Sequence, residues 1–361
     1  MREFCPDYPT ARARFRSAAT ALGAHQEALE LHATGPRGEA LTIDAARIGP
    51  ARPKQLVVVS SGLHGVEGYF GSAVQLQLLE RRLPHHPLPD GVGLLLLHAL
   101  NPFGMAWKRR VNEDNVDLNR NFLLPGEPYE GAPDGYAELD GLLNPPRPPG
   151  RISAFVPKAL WAIATQGMPA LKNAVAGGQY AFPQGVFYGG SGPTQTHRLL
   201  DEALPRWVEG ADRVLHIDFH TGLGDWGTYK LFVDHPWRSD GHSELADAFG
   251  RDVVEPWEPE EGVSYAIRGG LGAWCKARMP DLTYDVLAAE FGTQKALTVV
   301  KAMSRENRVW QHGDRASPKA EAERQAFCDV FVPPDPSWRE RCLPQGVHIV
   351  DQAVREAARG L

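Results

Sequence analysis

Short, continuous apolar runs alternate with segments of helical periodicity along this chain. Residues 55–60 (QLVVVS) and 92–98 (VGLLLLH) have the length and apolar character of buried strands. Between them, residues 68–82 carry apolar side chains at helical spacing and end just before Pro84, which favours a helix. Further apolar runs predict strands at residues 213–220, 229–233 and 283–289. Because predicted strands alternate with helices, the pattern predicts an α/β layered domain.

The segments outside this alternating pattern are helical or irregular. Residues 11–34 are rich in Ala and Leu at helical spacing and predict one helix, and residues 294–311 and 349–359 predict covering helices. Residues 123–205 are rich in Pro and Gly, with one predicted helix near residues 154–176. We interpret this segment as an excursion that shapes a functional cleft, with a surface-packed scaffold insertion as the alternative.

Composition narrows the classes of protein that fit. The chain has 361 residues, 23% charged and 43% apolar, and a formal charge of -6, so it lacks the basic footprint of a nucleic-acid-binding protein. No apolar run approaches the ~20 residues of a membrane span, and residues 1–7 contain no apolar signal segment. The four cysteines show no C-x-x-C spacing. We therefore expect a cytoplasmic enzyme without nucleic-acid or membrane partners, and no pattern predicts its oligomeric state.

A histidine and a carboxylate lie three residues apart where the first predicted strand gives way to a helix. These are His64 and Glu67, in the run SSGLHGVE, and their spacing lets both side chains reach one metal ion. The chain contains a second such spacing, His348 and Asp351, so the spacing alone is a weak signal. It predicts a metal site only if later segments supply the remaining groups.

Two later segments supply such groups. After the second strand, residues 101–122 bring Asp, Asn and Arg together where a sheet presents loops at its carboxyl edge, although a solvated loop is the alternative. In the run HIDFHTG, residues 216, 218 and 220 share one face of a strand, and His220 lies at its end. His220 is the natural third ligand, whereas we interpret His216, further inside the sheet, as structural.

The three candidate ligands form a set that is common in zinc hydrolases. His64, Glu67 and His220 would hold one Zn²⁺ per chain as a His₂Glu site with a water. Hydrolysis also needs a general base, and Glu290 ends an apolar strand where burial would raise its pKa. A helix cap or a surface ion pair is the alternative for Glu290.

Four motifs, in this order, resemble those of the zinc carboxypeptidase (M14) superfamily, and most closely its bacterial branch DUF2817. They are H-x-x-E at 64–67, N-P-x-G…R…D-L-N-R-N-F at 101–122, D-x-H at 218–220 and E-F-G-T at 290–293. The resemblance covers roughly residues 55–295. It implies a three-layer α/β/α fold around a central mixed, mostly parallel β-sheet. It also implies a single zinc-hydrolase domain over residues 1–361, with a core at about 35–300 and a helical covering region at 300–361.

The resemblance assigns roles to residues of the polar loop. Asp117 matches the carboxylate that orients the first histidine ligand, as metal-bound imidazoles require. Asn119 and Arg120 match the pair that grips a substrate carboxylate, a task suited to the arginine fork. Arg110 matches the arginine that polarises the scissile carbonyl. Arg109 beside it is the alternative for that substrate-binding role.

The resemblance also extends to a glycine-rich loop. Tyr265 precedes Gly269 and Gly270, and Trp274 follows, as in the mobile-tyrosine and specificity loops of the carboxypeptidases. Tyr265 would then close over bound substrate and donate a hydrogen bond, with an aromatic packed under a glycine-rich turn as the alternative. Because Ala273 replaces the acidic residue of that family before the tryptophan, we do not predict side-chain preference.

A different motif points to a competing function. Residues 222–227 (GLGDWG) fit the dinucleotide-binding pattern G-x-G-x-x-G and follow a strand. That pattern must open a helix, but here it leads into residues 228–233 (TYKLFV), which predict another strand. The sequence therefore argues against a Rossmann oxidoreductase.

The predicted function is a zinc metallohydrolase of the carboxypeptidase type. It would cleave an amide bond next to a free carboxylate, with zinc and Glu290 activating the water, and its substrate would be a small peptide. The alternative is an N-acyl amino acid deacylase similar to aspartoacylase and succinylglutamate desuccinylase, because the motifs serve both. A non-catalytic zinc- or peptide-binding protein is the third hypothesis, and the complete set of catalytic groups argues against it.

Overall fold

One β-sheet organises the chain in the computed structural model, which describes residues 1–150, 155–166, 177–257 and 267–360. Within these residues eight strands form the sheet. The strands are β1 (His25–Thr34), β2 (Ala40–Ile48), β3 (Gln55–Ser61), β4 (Val92–His98), β5 (Arg213–Gly222), β6 (Tyr229–Val233), β7 (Val254–Pro256) and β8 (Thr283–Gly292). Their order across the sheet is β1-β2-β4-β3-β5-β8-β6-β7.

The centre of the sheet is parallel and its flanks are partly antiparallel. Strands β4, β3, β5 and β8 run parallel to one another, whereas β1 and β2 are antiparallel neighbours and β6 is antiparallel to β8. Strands β3 and β4 are buried at every position, which explains their continuous apolar sequences. The expected central mixed, mostly parallel sheet is confirmed.

Helices cover both faces of this sheet. They are α1 (Tyr8–Ala21), α2 (Gly68–Gln77), α3 (Pro102–Ala106), α4 (Tyr136–Leu143), α5 (Phe155–Gln166), α6 (Gln195–Trp207), α7 (Asp240–Phe249), α8 (Leu271–Arg278), α9 (Ala296–His312), α10 (Pro318–Phe331) and α11 (Pro336–Arg359). On one face, Phe219 of β5 meets Phe70 of α2 with ring centroids 5.9 Å apart. On the other face, Asp218 of β5 lines a cavity with Leu271 of α8. The expected three-layer α/β/α arrangement is confirmed.

The single helix predicted over residues 11–34 is wrong. Helix α1 ends at Ala21, and Gly23 follows with φ of 68°, a conformation that favours glycine and ends the helix. Residues 25–34 then form β1, which pairs antiparallel with β2 from His25 opposite Arg47. The apolar pattern missed this strand because β1 is an edge strand with mostly exposed or half-buried side chains.

The helices at the C-terminal end complete the core. Helix α11 begins at Pro336, thirteen residues before the helix that the sequence predicted at 349, and α10 was not predicted at all. Trp338 is fully buried, contacts the Phe70 ring with centroids 5.3 Å apart, and donates from Nε1 to the Gly292 carbonyl at 2.9 Å. Residues after β8 therefore pack directly against the sheet.

The excursion at residues 123–205 closes back on the polar loop that precedes it. The Asn121 side chain donates to the carbonyls of Gly189 and Gly192 at 2.8 and 2.9 Å and accepts from the Thr194 amide at 2.9 Å. The described residues of this excursion include α4, α5 and α6. The shaping of the cleft by this segment remains a prediction.

None of the helices described is both long enough and apolar enough to cross a membrane.

A close backbone approach fixes the turn after β3. A Cβ built on Gly65 would collide with the backbone of Gly104 and Met105, and the Gly65 amide donates to the Arg110 carbonyl at 3.0 Å. No flexible side chain is available to move aside. The turn that carries His64 and Glu67 therefore depends on a glycine at position 65.

We expect Gly65→Ala to lower the free energy of unfolding by about 2 kcal/mol or more, because the backbone must shift in a closely packed region. Gly141→Ala is the matched control, since Gly141 lies in α4 with open space around its Cα. That change should leave stability unchanged or raise it by up to about 1 kcal/mol. Urea unfolding of the metal-free proteins measures both. Equal stability of the two variants would contradict the close approach.

Candidate metal centre

Three side chains from two strand ends meet at the carboxyl edge of the sheet. His64 Nδ1 lies 3.0 Å from Glu67 Oε1, and His220 Nδ1 lies 3.1 Å from Glu67 Oε2. The two Nδ1 atoms are 3.1 Å apart. One ligand atom from each of these buried residues lies within 4.8 Å of the others, so the sequence-predicted ligand set is brought together in space.

Local geometry explains why the ligands converge. His64 follows β3, and the 3₁₀ turn Gly65–Glu67 folds Glu67 back toward the parallel neighbour β5. His220 lies near the end of β5, and the Thr221 amide donates to Glu67 Oε2 at 3.1 Å. The carboxylate of Glu67 is therefore held between the two strand ends by both imidazoles and a backbone amide.

Each imidazole presents its second nitrogen to a separate carboxylate. His220 Nε2 lies 2.7 Å from Asp218 Oδ2, and His64 Nε2 lies 3.3 Å from Asp117 Oδ1. Such carboxylates fix the tautomer and orientation of a metal-bound histidine and raise its basicity. This arrangement aims both Nδ1 lone pairs at the space beside Glu67. The donor set and its supporting carboxylates therefore fit a divalent metal ion.

The electrostatics of the site favour ionised carboxylates. Burial alone would raise the pKa of Glu67, but His64, His220 and Arg110 outweigh it and hold that pKa below its ordinary value. For Asp117, burial is likewise outweighed by Arg110 and His64, and its pKa lies well below the usual range. Both carboxylates are thus charged at neutral pH.

Whereas the two carboxylates are ionised, the His220 ring is protonated and therefore cationic when no metal is bound. Burial would lower its pKa, but Asp218 and Glu67 raise that pKa well above the ordinary value. A histidine must lose its proton to ligate a metal, so binding of an ion at this site releases protons.

The two candidate arginines point to different places. Arg110 lies inside the cluster, where Nη1 donates to Glu67 Oε1 and Nε donates to Asp117 Oδ2, each at 3.0 Å. Its guanidinium also contacts His64, with Nη2 2.6 Å from Nε2. Arg110 therefore links Glu67, a candidate metal ligand, to Asp117, the carboxylate that contacts His64.

The structure does not bring Arg109 to the cluster. Its side chain is fully buried, donates to Glu306 Oε1 at 2.7 Å, and stacks over the Trp310 ring at 4.1 Å. Because both partners lie on α9, the guanidinium points away from His64 and is held there by an ion pair. These contacts place Arg109 against α9 and outside the cluster, and its substrate-binding role stays a prediction that they do not support.

Asn119 and Arg120 follow Asp117 in a 3₁₀ turn. The Asp117 side chain accepts from the Asn119 amide at 3.1 Å, and Asn119 Oδ1 accepts from the Leu271 amide at 3.1 Å. That contact leaves the side-chain NH₂ of Asn119 as the donor at the cavity beside His220. Arg120 is fully buried, and its Nη1 donates to the Asn119 carbonyl at 2.8 Å.

Glu290 lies beside the cluster on the next strand. It is paired in register with His220 across β5 and β8, and its Oε1 accepts from the Leu223 amide at 2.8 Å. Burial and the negative charge of Glu67 raise the pKa of Glu290 to about 7. It is therefore a carboxylate poised to gain or lose a proton near neutral pH. Tyr265 lies outside the described residues.

A chain of buried polar groups extends behind His220. Ser60 Oγ lies 2.5 Å from Asp218 Oδ1 and 2.7 Å from His216 Nε2, and His216 Nδ1 lies 3.0 Å from the Tyr284 hydroxyl. Burial lowers the pKa of His216 to about 4, so it is neutral, and it lies inside the network rather than among the candidate ligands. The supporting position of Asp218 was missed, although its same-face spacing from His220 was the available signal.

A small cavity opens next to His220. Its volume is about 70 Å³, and its wall includes Asn119, Asp218 and His220 together with residues of β8 and α8. Asp234, just after β6, also lines it. The metal-ligand cluster therefore borders a recess with both polar and apolar surfaces.

Comparisons with known proteins agree with this fold. A family model described as "Protein of unknown function (DUF2817)" matches residues 4–345. No curated protein matches the chain. Bovine thrombin-activatable fibrinolysis inhibitor, solved in complex with tick carboxypeptidase inhibitor, superposes with a TM-score of 0.53 at 12% identity, covering 99% of each chain.

Two further solved structures are similar. Another structure of thrombin-activatable fibrinolysis inhibitor has a TM-score of 0.53 at 13% identity, covering 98% of this chain and 75% of that one. Carboxypeptidase A from Helicoverpa armigera has a TM-score of 0.48 at 13% identity, covering 89% of this chain and 73% of that one. At 12% identity the likeness to thrombin-activatable fibrinolysis inhibitor shows the fold alone. The expected DUF2817 family is confirmed, because its model spans most of the chain.

We expect Asp117→Asn to weaken metal binding about 10–100-fold, because His64 loses the charged group that orients it. Competition between the protein and a chromogenic chelator for Zn²⁺ measures the affinity. Asp114→Asn is the matched control, since Asp114 is exposed three residues earlier. Circular dichroism of both metal-free variants checks that they fold. Equal zinc affinity for the two folded variants would remove Asp117 from the site.

Proposed function

The chain belongs to the DUF2817 family, and from its fold and ligand cluster we propose that it is a zinc-dependent metallohydrolase of the carboxypeptidase type. It cleaves an amide bond next to a free carboxylate. The observation that carries this proposal is the convergence of His64, Glu67 and His220 with a carboxylate behind each imidazole. A purely structural cluster would not need Glu290, a carboxyl group with a pKa of about 7, beside His220 on the neighbouring strand.

The ligand residues hold the metal, and neighbouring residues handle the proton. His64, Glu67 and His220 would hold one Zn²⁺, which would supply a Lewis acid for the substrate carbonyl and for water. Glu290 accepts the proton of the attacking water and passes it to the leaving amine. Its pKa near neutrality suits both transfers, since the group must take up and then release one proton.

Two sets of residues position the substrate in this proposal. Arg110 places a fixed positive charge beside Glu67, where it stabilises the negative charge that develops on the carbonyl oxygen. Asn119 offers its side-chain NH₂ at the cavity, and Arg120 follows it in the same turn. Together they bind the free carboxylate of the substrate. Tyr265 closes over the substrate in this proposal.

Deacylation of an N-acyl amino acid is the second candidate. The anchoring of residues 189–194 on Asn121 holds the excursion against the polar loop, which favours small substrates. Dipeptides and N-acyl amino acids present the same amide beside the same carboxylate, so the cluster serves both reactions. Relative kcat/KM values across a matched panel of the two substrate classes decide between them.

We expect Glu290→Gln to lower kcat about 10²–10⁴-fold while the protein still binds one zinc ion, because only proton transfer is removed. Elemental analysis checks the zinc content. Glu202→Gln is the control, since Glu202 is an exposed glutamate on α6. Unchanged activity of Glu290→Gln would exclude it as the general base.

The pH dependence of the reaction follows from the same carboxyl group. A general base must be ionised, and the raised pKa of Glu290 means that protonation removes the base as the pH falls through about 7. We therefore expect kcat/KM to rise with pH across this range and to level off above it. Steady-state rates between pH 5 and 9, at about unit intervals, measure this limb. A flat profile across pH 7 would contradict the assignment.

We expect substrates with an amidated C-terminus to be cleaved far more slowly than those with a free carboxylate. In Arg120→Ala the kcat/KM for the free-carboxylate substrate should fall about 10–100-fold, mainly through KM, because a charged hydrogen bond is lost. Arg355→Ala, which alters an exposed arginine on α11, is the control. Equal cleavage of free and amidated substrates by the unmodified protein would exclude a carboxylate-binding pair.

A further inference from the structure

A second cavity lies on the same sheet, away from the metal centre. Its volume is about 110 Å³, and side chains of β1, β2, β4 and α6 form its wall. Strand β2, in the middle of this wall, is three strand spacings from β5 and its His220, or about 14 Å. None of the described residues at the metal centre lines this cavity. It is therefore a separate recess.

The strand register explains how this second cavity forms. Arg47 on β2 lies between His25 on β1 and Leu95 on β4. Two residues earlier on β2, Ala45 lies opposite Glu27 on β1. Paired residues point to the same face of a sheet, and residues two apart on one strand share that face. Because Ala45 contributes only a methyl group among longer neighbours, a recess forms above it.

The carboxylate of Glu27 is held by the end of α6. Arg206 Nη2 donates to Glu27 Oε1 at 2.9 Å, and Trp207 Nε1 donates to Glu27 Oε2 at 2.6 Å. The hydrogen bond and the charge of Arg206 lower the pKa of Glu27, so this carboxylate is ionised at neutral pH. Glu27 therefore neutralises Arg206 and is drawn toward the helix rather than toward Arg47.

The guanidinium of Arg47 is left without such a partner. No hydrogen bond and no ion pair joins its side chain to any residue that the structure describes. The side chain is half-buried, so it has lost part of its contact with water. His25 lies exposed beside it and pairs with none of the described carboxylates. Since Glu27 cancels Arg206, the recess carries a net positive charge that an anionic ligand would balance.

The rest of the recess is apolar. Leu95 is fully buried at its floor, Ala45 is buried beside it, and the largely buried indole of Trp207 closes one side. The fork of an arginine binds a carboxylate through two parallel hydrogen bonds. A cavity of about 150 Å³ accepts benzene, so this one has room for a ligand of about four to six non-hydrogen atoms. A carboxylate with a short hydrocarbon body matches both the charge and the floor.

We propose that this cavity is a second ligand site, which binds a small aliphatic carboxylate through Arg47. The hydrocarbon body of the ligand lies against Leu95, Ala45 and Trp207. Two kinds of molecule share this chemistry, a simple short-chain acid and a free α-amino acid. The amino acid adds an ammonium group, which the remaining lone pairs of Glu27 accept. The inference does not depend on the proposed hydrolase function.

Matched small molecules test the ligand class. Ligand-observed NMR on the zinc-loaded full chain compares butyrate with butanol, which has the same body without the charge, and with inorganic phosphate, which has charge without the body. We expect butyrate to bind with a Kd of about 1 mM or tighter, and both comparison molecules at least about tenfold more weakly. Tighter binding of 2-aminobutyrate than of butyrate identifies the free amino acids as the ligand class, and the reverse order identifies simple acids.

Two variants locate the bound carboxylate. Arg47→Gln removes the cation, and Ala45→Leu fills the recess without changing any charge, so each should weaken butyrate binding at least about tenfold. Arg355→Gln, which changes an exposed arginine on α11, is the control and should bind butyrate normally. Thermal melting checks that every variant folds. Because Arg47 is only half-buried, Arg47→Gln decides the question even if Ala45→Leu fails to fold.

Three results would overturn the inference and leave the hydrolase proposal untouched. One is the absence of binding by butyrate and 2-aminobutyrate at concentrations up to about 10 mM. Another is equal binding of butyrate and butanol, which would remove the charge from recognition. The third is butyrate binding that is unchanged in folded Arg47→Gln but lost in Arg120→Ala, which would place the carboxylate at the metal centre instead.

Discussion

The structure depends on how three buried carboxylates at the edge of the sheet are balanced. Glu67, Asp117 and Asp218 are all excluded from water, and a buried charge is tolerated only when it is paired. Among the groups in direct contact, Arg110 neutralises part of this charge through Glu67 and Asp117. When both imidazoles are neutral, as ligation requires, a divalent cation balances the remainder. The cluster is thus electrostatically complete as a metal site.

This balance explains the local architecture around the site. Glu67 reaches both imidazoles only because the turn at Gly65 packs backbone to backbone on Gly104. Asp117 reaches His64 because its loop is tied down by Arg110 and, on the other side, by the Tyr188 carbonyl, which accepts from the Asp117 amide at 2.7 Å. The excursion after residue 122 therefore holds the carboxylate that supports the first ligand.

Much of this could be predicted from sequence, and the failures have physical causes. The central strands were found because burial on both faces makes them continuous apolar runs, whereas β1 was taken for helix. Its sequence, HQEALELHAT, favours helix locally, and pairing with β2 overrides that preference. The choice between Arg109 and Arg110 was beyond sequence reasoning, because Glu306 and Trp310, which capture Arg109, lie about two hundred residues later. Asp234 belongs to no motif, since only the sheet brings it to the cavity.

His220 joins two regions that are built differently. Behind it, Asp218 and Ser60 form a buried network in which removing either side chain takes a hydrogen-bond partner from a buried polar group. In front of it, the cavity wall includes apolar side chains of α8 and β8, among them Leu271, Val286 and Ala288. The groups of the candidate metal centre are therefore constrained by buried charge, whereas the apolar part of the cavity wall is free of that constraint. Substitutions in that wall would therefore reshape the cavity without disturbing the buried charges behind it.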